Sequence, residues 1–246
     1  AARNGTLLRV DRGAYEIVVL KDGREVQLFF AARGAAGMEL SGVMSRLDVR
    51  APLKLLGLYT QAMLLALLWA PAPQRIYVAG LGGGRAPLVL HQTLPEVEID
   101  AAEIDPEVAA IAQSHFALVP DARLRVHVED GADFLCRADV AYDVILIDCY
   151  GGAASIPEKF AAAEFYDLCK SRLAPGGVVA SNIDPQDRTV AQKLAVFARA
   201  FPHAMRFRAD NANVVFGAMT PLAIDPARIA ALARAFRAVA PIKALG

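Results

Sequence analysis

The sequence predicts an α/β fold in which a small N-terminal β domain precedes a mostly parallel, seven-stranded sheet that ends in an antiparallel hairpin. Short apolar segments alternate with helical segments through the middle of the 246-residue chain, which is typical of a parallel sheet covered on both faces. Two β-rich segments near the end are joined by only residues 209–212, and the first fifty residues are β-rich. We expect two domains, residues 1–52 and 53–246.

The N-terminal domain is predicted from three β-rich segments and a turn. The segments are residues 7–10, 15–20 and 26–30. The sequence Lys21-Asp22-Gly23-Arg24 is a tight-turn signal between the second segment and the third. A helix is then predicted over residues 53–69, because this apolar stretch is closed by Pro71-Ala72-Pro73, which cannot continue a helix.

The larger domain is predicted from regular alternation. Its parallel strands are expected at residues 75–79, 97–102, 124–128, 144–148 and 177–182, and the helices between them at residues 87–93, 106–116, 131–137 and 161–173. A further helix over residues 188–200 precedes strands at 205–208 and 213–218. These two strands must pair antiparallel, because a parallel crossover needs a dozen or more residues. This is the plan of the methyltransferase-type Rossmann fold, whereas the nicotinamide-binding Rossmann fold lacks the hairpin.

Composition excludes several classes of function. The formal net charge is zero, so we expect no nucleic-acid partner. The three cysteines and four histidines are scattered, which predicts neither a disulfide framework nor a metal site and favours a cytoplasmic location. The most apolar run, residues 55–69, is too short to span a bilayer, so we expect no membrane segment in this chain. The sequence begins without methionine, which leaves open what preceded residue 1.

A glycine-rich turn follows the predicted strand at residues 75–79. Gly80-Leu-Gly82-Gly83-Gly84-Arg85 leads into a helix, and glycines there let the backbone approach a ligand while helix N–H groups point towards it. The alternative is a tight strand–helix connection without a ligand. The dinucleotide fingerprint has a third glycine where this chain has Arg85, which weakens a nicotinamide interpretation.

Three carboxylates are predicted at the same edge of the sheet. Glu103 ends the second parallel strand and is placed to accept from both hydroxyls of a ribose. Asp130 can accept from the exocyclic amine of a purine, while Gly131 leaves room for the ring. Asp148 ends the strand at residues 144–148, at the edge where open α/β sheets bind ligands. The alternatives are a solvated strand-end carboxylate for Glu103 and a helix N-cap for Asp130.

Together these motifs resemble the polyamine aminopropyltransferases, the spermidine-synthase-like family. The shared motifs, in the family's order, are the β-rich start, the glycine turn, Glu103-Ile104-Asp105, Asp130-Gly131, Asp143-Val-Ile-Leu-Ile-Asp148 and Pro175-Gly176-Gly177. The interval from Asp148 to Phe160 and the glutamine Gln61, which contacts the nucleoside in that family, also match. The resemblance implies a class I S-adenosylmethionine-dependent methyltransferase fold, a proton-accepting role for Asp148, and a homo-oligomer.

Two departures from the family pattern concern charged substrates. Gly83 replaces an aspartate that grips the amine of the decarboxylated donor, and Gly151 replaces a second catalytic-loop aspartate that helps to hold the diamine. A further glutamine of the family is Met44 here. A diamine needs carboxylates to replace its hydration, and an aspartate at position 83 would repel the carboxylate of S-adenosylmethionine. The sequence therefore favours ordinary S-adenosylmethionine over its decarboxylated form.

We therefore predict a transferase that alkylates a small-molecule acceptor from an S-adenosylmethionine-type donor, with methyl transfer slightly favoured over aminopropyl transfer to a polyamine. The predicted donor-binding residues are Gln61, Gly80, Gly82, Gly83, Glu103, Asp130 and Gly131. Asp148 would accept a proton from the acceptor or align it, and Tyr150 would shape the pocket, with simple loop filling as its alternative. A second hypothesis is a family member that binds the nucleoside without turnover. A nicotinamide oxidoreductase is a distant third.

Overall fold

The computed structural model describes residues 4–13, 15–34, 37–150, 156–209 and 212–236. These residues form a four-stranded antiparallel sheet and a seven-stranded, mostly parallel sheet. The predicted α/β class and the two kinds of sheet are confirmed.

The N-terminal sheet is a meander of four neighbouring strands. They are β1 (Gly5–Asp11), β2 (Tyr15–Asp22), β3 (Glu25–Gly34) and β4 (Gly37–Asp48). The first three contain the predicted segments. The sequence did not predict β4, because Gly37 and Gly42 and a mixture of polar and apolar residues hide its alternation.

The prediction of a helix over residues 53–69 is wrong in its extent, because the observed α-helix is much shorter. An α-helix, α1, covers only Leu58–Met63, and a 3₁₀-helix follows at Leu64–Leu68. Gly57 precedes α1 with an extended ψ of 126°, so the chain is not helical on that side. The apolar run is explained by burial, since every residue from Ala62 to Leu68 is buried in the core.

The larger sheet carries five parallel strands and the terminal hairpin. The strands are β5 (Arg75–Ala79), β6 (Glu98–Glu103), β7 (Leu124–Val128), β8 (Tyr142–Ile147), β9 (Leu173–Asn182), β10 (His203–Ala209) and β11 (Ala212–Ala218). Their spatial order is β10-β11-β9-β8-β5-β6-β7. The strand β11 pairs antiparallel with both β10 and β9, which confirms the predicted finish.

Helices cover both faces of this sheet. They are α2 (Arg85–Thr93), α3 (Pro106–His115), α4 (Gly131–Arg137), α5 (Ala163–Arg172), α6 (Val190–Ala200) and α7 (Pro226–Ala235), of which α7 was not predicted. Alternate residues of β5 belong to two different hydrophobic clusters, Ile76 and Val78 to one and Tyr77 and Ala79 to the other. The strand is therefore buried on both faces, as its apolar sequence predicts. No helix in the described part of the chain is long and apolar enough to cross a membrane.

The N-terminal sheet packs on α3. Ile17 and Leu28 of this sheet share a buried cluster with Val108 and Ile111 of α3 and with Phe116, which directly follows the helix. This packing brings the end of β4 over the turn that follows β5, and Ser45 of β4 accepts a 2.8 Å hydrogen bond from the backbone N–H of Gly83.

Candidate active site

A cavity of about 580 Å³ lies at the carboxyl ends of the parallel strands. Its wall includes the turn after β5, the end of β6, the start of α4, the segment after β8, the end of β9 and part of β4. The residues predicted from sequence that line it are Gly80, Gly82, Glu103, Asp130, Gly131, Asp148 and Tyr150. The volume lies in the range of small-molecule sites.

Gly80 lies directly against the backbone of Asp148. Gly80 has a φ of +89°, and a Cβ there would lie 2.8 Å from the carbonyl carbon of Asp148. The backbone N–H of Asp148 also donates a 2.8 Å hydrogen bond to the carbonyl of Ala79. Glycine at position 80 is therefore required by the approach of a neighbouring backbone, which brings Asp148 directly beside the turn.

Glu103 is held by the backbone of the glycine turn. Its Oε2 accepts from the N–H groups of Leu81 at 3.1 Å and Gly82 at 3.4 Å, and its Oε1 accepts from the N–H of Asp105 at 3.0 Å. Burial raises the pKa of Glu103 above its usual value, and these three amides oppose the rise. A carboxylate oxygen accepts more than one hydrogen bond, so the oriented group keeps capacity for hydroxyls in the cavity.

Asp130 caps α4 and forms an ion pair. Its Oδ1 accepts from the N–H groups of Ala132 at 2.9 Å and Asp133 at 3.3 Å, and Lys159 donates to its Oδ2. Burial disfavours the charge, but Lys159 and the two amides hold the pKa of Asp130 below its usual value. The N-cap alternative is thus correct as a description of the helix start, and Asp130 still lines the cavity.

The neighbouring glycine is explained by packing. The hydroxyl of Tyr77 donates a 2.6 Å hydrogen bond to the carbonyl of Gly131, and a Cβ at position 131 would meet that hydroxyl at 2.9 Å. A side chain there would disturb the contact between α4 and β5.

Asp148 is a half-buried carboxylate with one side-chain partner among the described residues. Burial raises the pKa of Asp148 to about 6, while the amide of Asn182, which donates to its Oδ1 at 3.0 Å, opposes the rise. A carboxylate with a pKa near 6 is largely ionised at neutral pH and accepts a proton more readily than an ordinary aspartate.

Two tyrosines stand beside Asp148 in the cavity wall. The hydroxyl of Tyr150 lies 3.4 Å from the carbonyl of Asn182, and the hydroxyl of Tyr59 donates to the carbonyl of Met44 at 2.9 Å. Burial, and then the charge of Asp148, raises the pKa of both tyrosines, so both hydroxyls are neutral at physiological pH. Each is a donor already aimed at a backbone carbonyl.

Two predicted residues do not line the cavity. Gly83 donates its N–H to Ser45, and a Cβ at position 83 would meet Phe116 Cδ1 at 2.7 Å and Ser45 Cβ at 2.8 Å. Gln61 is buried and donates to the carbonyl of Leu55 at 2.8 Å. Position 83 therefore has no room for an aspartate without movement of its neighbours. Gly151, where the second family aspartate is missing, lies outside the described residues.

Sequence reasoning missed three side chains of the site. Asn182, Tyr59 and Lys159 all line the cavity. Asn182 ends β9 just as Asp148 follows β8, so the rule that ligands bind at the carboxyl ends of parallel strands could have found it. Tyr59 lay within a stretch interpreted only as buried helix, and no sequence pattern linked Lys159 to Asp130. No group of histidine, cysteine, aspartate and glutamate in the described ranges could hold a metal ion.

Comparison with known proteins identifies the family. The family model described as spermine/spermidine synthase domain matches residues 69–202, which is more than half of the chain. The chain belongs to this family. It is 34% identical to the polyamine aminopropyltransferase of Vibrio vulnificus over 153 residues, which cover 61% of this chain and 51% of that protein. It is 37% identical to the eEF1A lysine and N-terminal methyltransferase of Bos taurus over 157 residues, 58% of this chain and 22% of that protein.

Two solved structures are similar to this chain. Human methyltransferase-like protein 13, solved in complex with SAH, is 29% identical with a TM-score of 0.65, covering 74% of this chain and 92% of that chain. A probable spermidine synthase from Corynebacterium glutamicum shares the fold at 22% identity and a TM-score of 0.71, covering 96% of this chain and 88% of that chain. The aligned regions span about half of the bacterial relative and about a fifth of the bovine one.

Proposed function

We propose that this protein is a transferase that takes an alkyl group from an S-adenosylmethionine-type donor, and that methyl transfer is its reaction. The observation that carries the proposal is that Glu103 and Asp148 line one cavity. They lie at the carboxyl ends of β6 and β8, the strands on either side of β5, and the glycine turn follows β5. One carboxylate is held by the backbone of that turn, and the other is a half-buried group with a pKa of about 6. A donor site and a proton acceptor are thereby joined in a single space.

The residues of the cavity suit an adenosyl donor. Glu103 would accept from the ribose hydroxyls, and Asp130 would accept from the adenine amine in competition with Lys159. Gly80 and Gly82 would leave the turn open to the donor's tail. The sulfonium of the donor would itself activate the carbon that is transferred, so this step would not require a metal.

Asp148 would act on the acceptor. The acceptor's nucleophilic atom forms a bond to the transferred carbon, the carbon–sulfur bond breaks with its electron pair moving to sulfur, and the acceptor's proton passes to Asp148. The hydrogen bond from Asn182 fixes the carboxylate, and Tyr150 closes the same wall. Positioning two reactants in line is most of what such a transfer requires.

Two observations favour the methyl donor. Position 83 has no carboxylate for a bare ammonium, and an added Cβ there would collide with Phe116 and Ser45. The relative solved in complex with SAH also aligns over 74% of this chain. Aminopropyl transfer is the second candidate, because the matched relative from Vibrio vulnificus is a polyamine aminopropyltransferase.

The nucleoside product distinguishes the two reactions. The protein is incubated with S-adenosylmethionine or its decarboxylated form and with a panel of amines, thiols, hydroxyl compounds and lysine peptides. Methyl transfer releases S-adenosylhomocysteine, whereas aminopropyl transfer releases methylthioadenosine. We expect S-adenosylhomocysteine in the presence of an acceptor. Methylthioadenosine formed only from the decarboxylated donor would establish the second candidate, and nucleoside binding without any product would support a non-catalytic family member.

A further inference from the structure

A buried arginine stands at the N-terminus of α2 without a counter-ion. Arg85 is only 6% exposed; its guanidinium donates to the carbonyl of Phe116 at 3.0 Å and to that of Pro52. Its Nε is buried without a hydrogen-bond partner, and no carboxylate in the described part of the chain forms an ion pair with it. Burial lowers the pKa of Arg85 to about 10, still well above neutral.

The surroundings of Arg85 add positive charge. Arg85 is the first residue of α2, and the helix is preceded by Gly84, which offers no side-chain cap. A helix N-terminus carries a partial positive charge and unpaired N–H groups. Buried charges in proteins are almost always paired, so a buried guanidinium at this end of a helix lacks an anion.

A small side cavity borders Arg85 and shares part of its wall with the main cavity. Its volume is about 20 Å³, and Arg85 forms part of its wall. It shares five wall residues with the main cavity, namely Ser45, Tyr59, Gly80, Leu81 and Asp148. This volume holds one water-sized group, which is the size of a single carboxylate oxygen.

We propose that Arg85 and the N-terminus of α2 bind the α-carboxylate of the donor's amino-acid tail, which makes Arg85 the residue that selects S-adenosylmethionine over its decarboxylated form. The inference rests on the proposed function, since it presumes an adenosyl donor in the main cavity. A carboxylate would supply the anion that the guanidinium lacks and an acceptor for Nε. The decarboxylated donor would leave both unsatisfied.

Three ligands test the proposal on the unaltered protein. S-adenosylhomocysteine carries the carboxylate, its decarboxylated form lacks only that group, and methylthioadenosine lacks the whole tail. We expect calorimetric titration to give an affinity for S-adenosylhomocysteine about tenfold to a hundredfold above that for the decarboxylated form, as for one charge-assisted hydrogen-bonded pair. Equal affinities would overturn the proposal without any variant being needed.

Substitution then assigns the effect to Arg85. Arg85→Met is compared with Arg172→Met, because Arg172 also donates to two backbone carbonyls, those of Leu135 and Cys136, but lies outside the cavity. We expect Arg85→Met to lose about tenfold or more in affinity for S-adenosylhomocysteine and little for methylthioadenosine. Arg172→Met should change neither.

The outcomes separate this proposal from the proposed function. If methylthioadenosine and S-adenosylhomocysteine both fail to bind the unaltered protein, the proposed function itself fails. If both bind and Arg85→Met weakens them equally or not at all, only the role of Arg85 is overturned. Should Arg85→Met not fold, Arg85→Lys keeps a cation without the planar fork, and the ligand comparison on the unaltered protein still decides the outcome.

Discussion

The side-chain amide of Asn182 donates a 3.0 Å hydrogen bond to Oδ1 of Asp148. The two residues follow neighbouring strands, since Asn182 ends β9 and Asp148 comes directly after β8. The bond stabilises the ionised carboxylate and therefore limits the rise in the pKa of Asp148 that burial causes. We therefore expect Asn182 to act as a positioning residue for the proposed proton acceptor.

Removing this hydrogen bond should move the pH profile of the reaction. In Asn182→Ala we expect the pKa of Asp148 to rise above about 6, because burial is then less opposed. The acidic limb of kcat/KM against pH should shift upward by about 0.5–1 pH unit. Asn182→Asp, which places a second carboxylate beside Asp148, should shift it in the same direction. A uniform loss of rate with an unmoved midpoint would show a merely structural role.

Neutralising Asp148 should separate binding from turnover. Asp148→Asn keeps the shape of the side chain and its contact with Asn182, so affinity for S-adenosylhomocysteine should remain within a few-fold. Turnover should fall by roughly 10²–10⁴-fold, the range for loss of a general base. Unchanged turnover, measured as nucleoside product released, would remove Asp148 from the mechanism.

The same substitution should stabilise the fold at alkaline pH. The pKa of Asp148 is raised in the folded state from 3.8 to about 6. The carboxyl group therefore contributes favourably to the free energy of unfolding below pH 3.8, and this contribution is lost as the pH rises through about 6. Above that pH the unaltered protein carries the cost of a partly desolvated charge, at most about 3 kcal/mol. Asp148→Asn should therefore unfold at a higher urea concentration at pH 8, and the gain should shrink towards pH 4. A gain independent of pH would refute this explanation.

Gly80 should be less replaceable than a glycine with similar dihedrals elsewhere. Gly176 also has a positive φ, +80°, but a Cβ there would meet nothing within 4 Å, whereas at Gly80 it would collide with the backbone of Asp148. Gly176→Ala should lower the free energy of unfolding by about 1 kcal/mol, because alanine is strained at a positive φ. Gly80→Ala should lower the free energy of unfolding by clearly more than Gly176→Ala does, and it should abolish nucleoside binding. Equal losses in urea unfolding would mean that the approach of Asp148 does not constrain the turn.

The larger sheet was predictable from sequence because its central strands are mostly buried and therefore continuously apolar. Residues 75–79 and 124–128 were predicted with the observed bounds, and the short connection between β10 and β11 left only an antiparallel pairing. The strand β4 and the break at Gly57 were not predictable in the same way. The strand β4 contributes Leu47 to the buried cluster between the N-terminal sheet and α3, and a local sequence pattern does not record such packing.

The site was predictable where one strand end supplies one polar residue. Glu103, Asp130 and Asp148 follow that rule, and all three line the cavity. Contacts between distant segments could not be predicted by this rule. The ion pair of Lys159 with Asp130 joins residues far apart in sequence, and the collision of a Cβ at Gly83 with Phe116 exists only once α3 has packed. Gly83 thus has a packing reason that a comparison of motifs could not show.

The donor assignment depends most directly on Glu103. The carboxylate ends β6 inside the cavity, whereas Glu98 begins the same strand outside it and pairs with Arg125 at 3.0 Å. Glu103→Gln replaces one acceptor oxygen with an N–H donor and should therefore lose the ribose hydroxyls. Glu98→Gln is the matched control on the same strand.

The decisive measurement is calorimetric titration of S-adenosylhomocysteine and of NAD into the unaltered protein and these two variants. We expect saturable one-site binding of S-adenosylhomocysteine to the unaltered protein and to Glu98→Gln, its loss in folded Glu103→Gln, and no binding of NAD. Absence of S-adenosylhomocysteine binding to the unaltered protein, or equal affinity in folded Glu103→Gln, would contradict it.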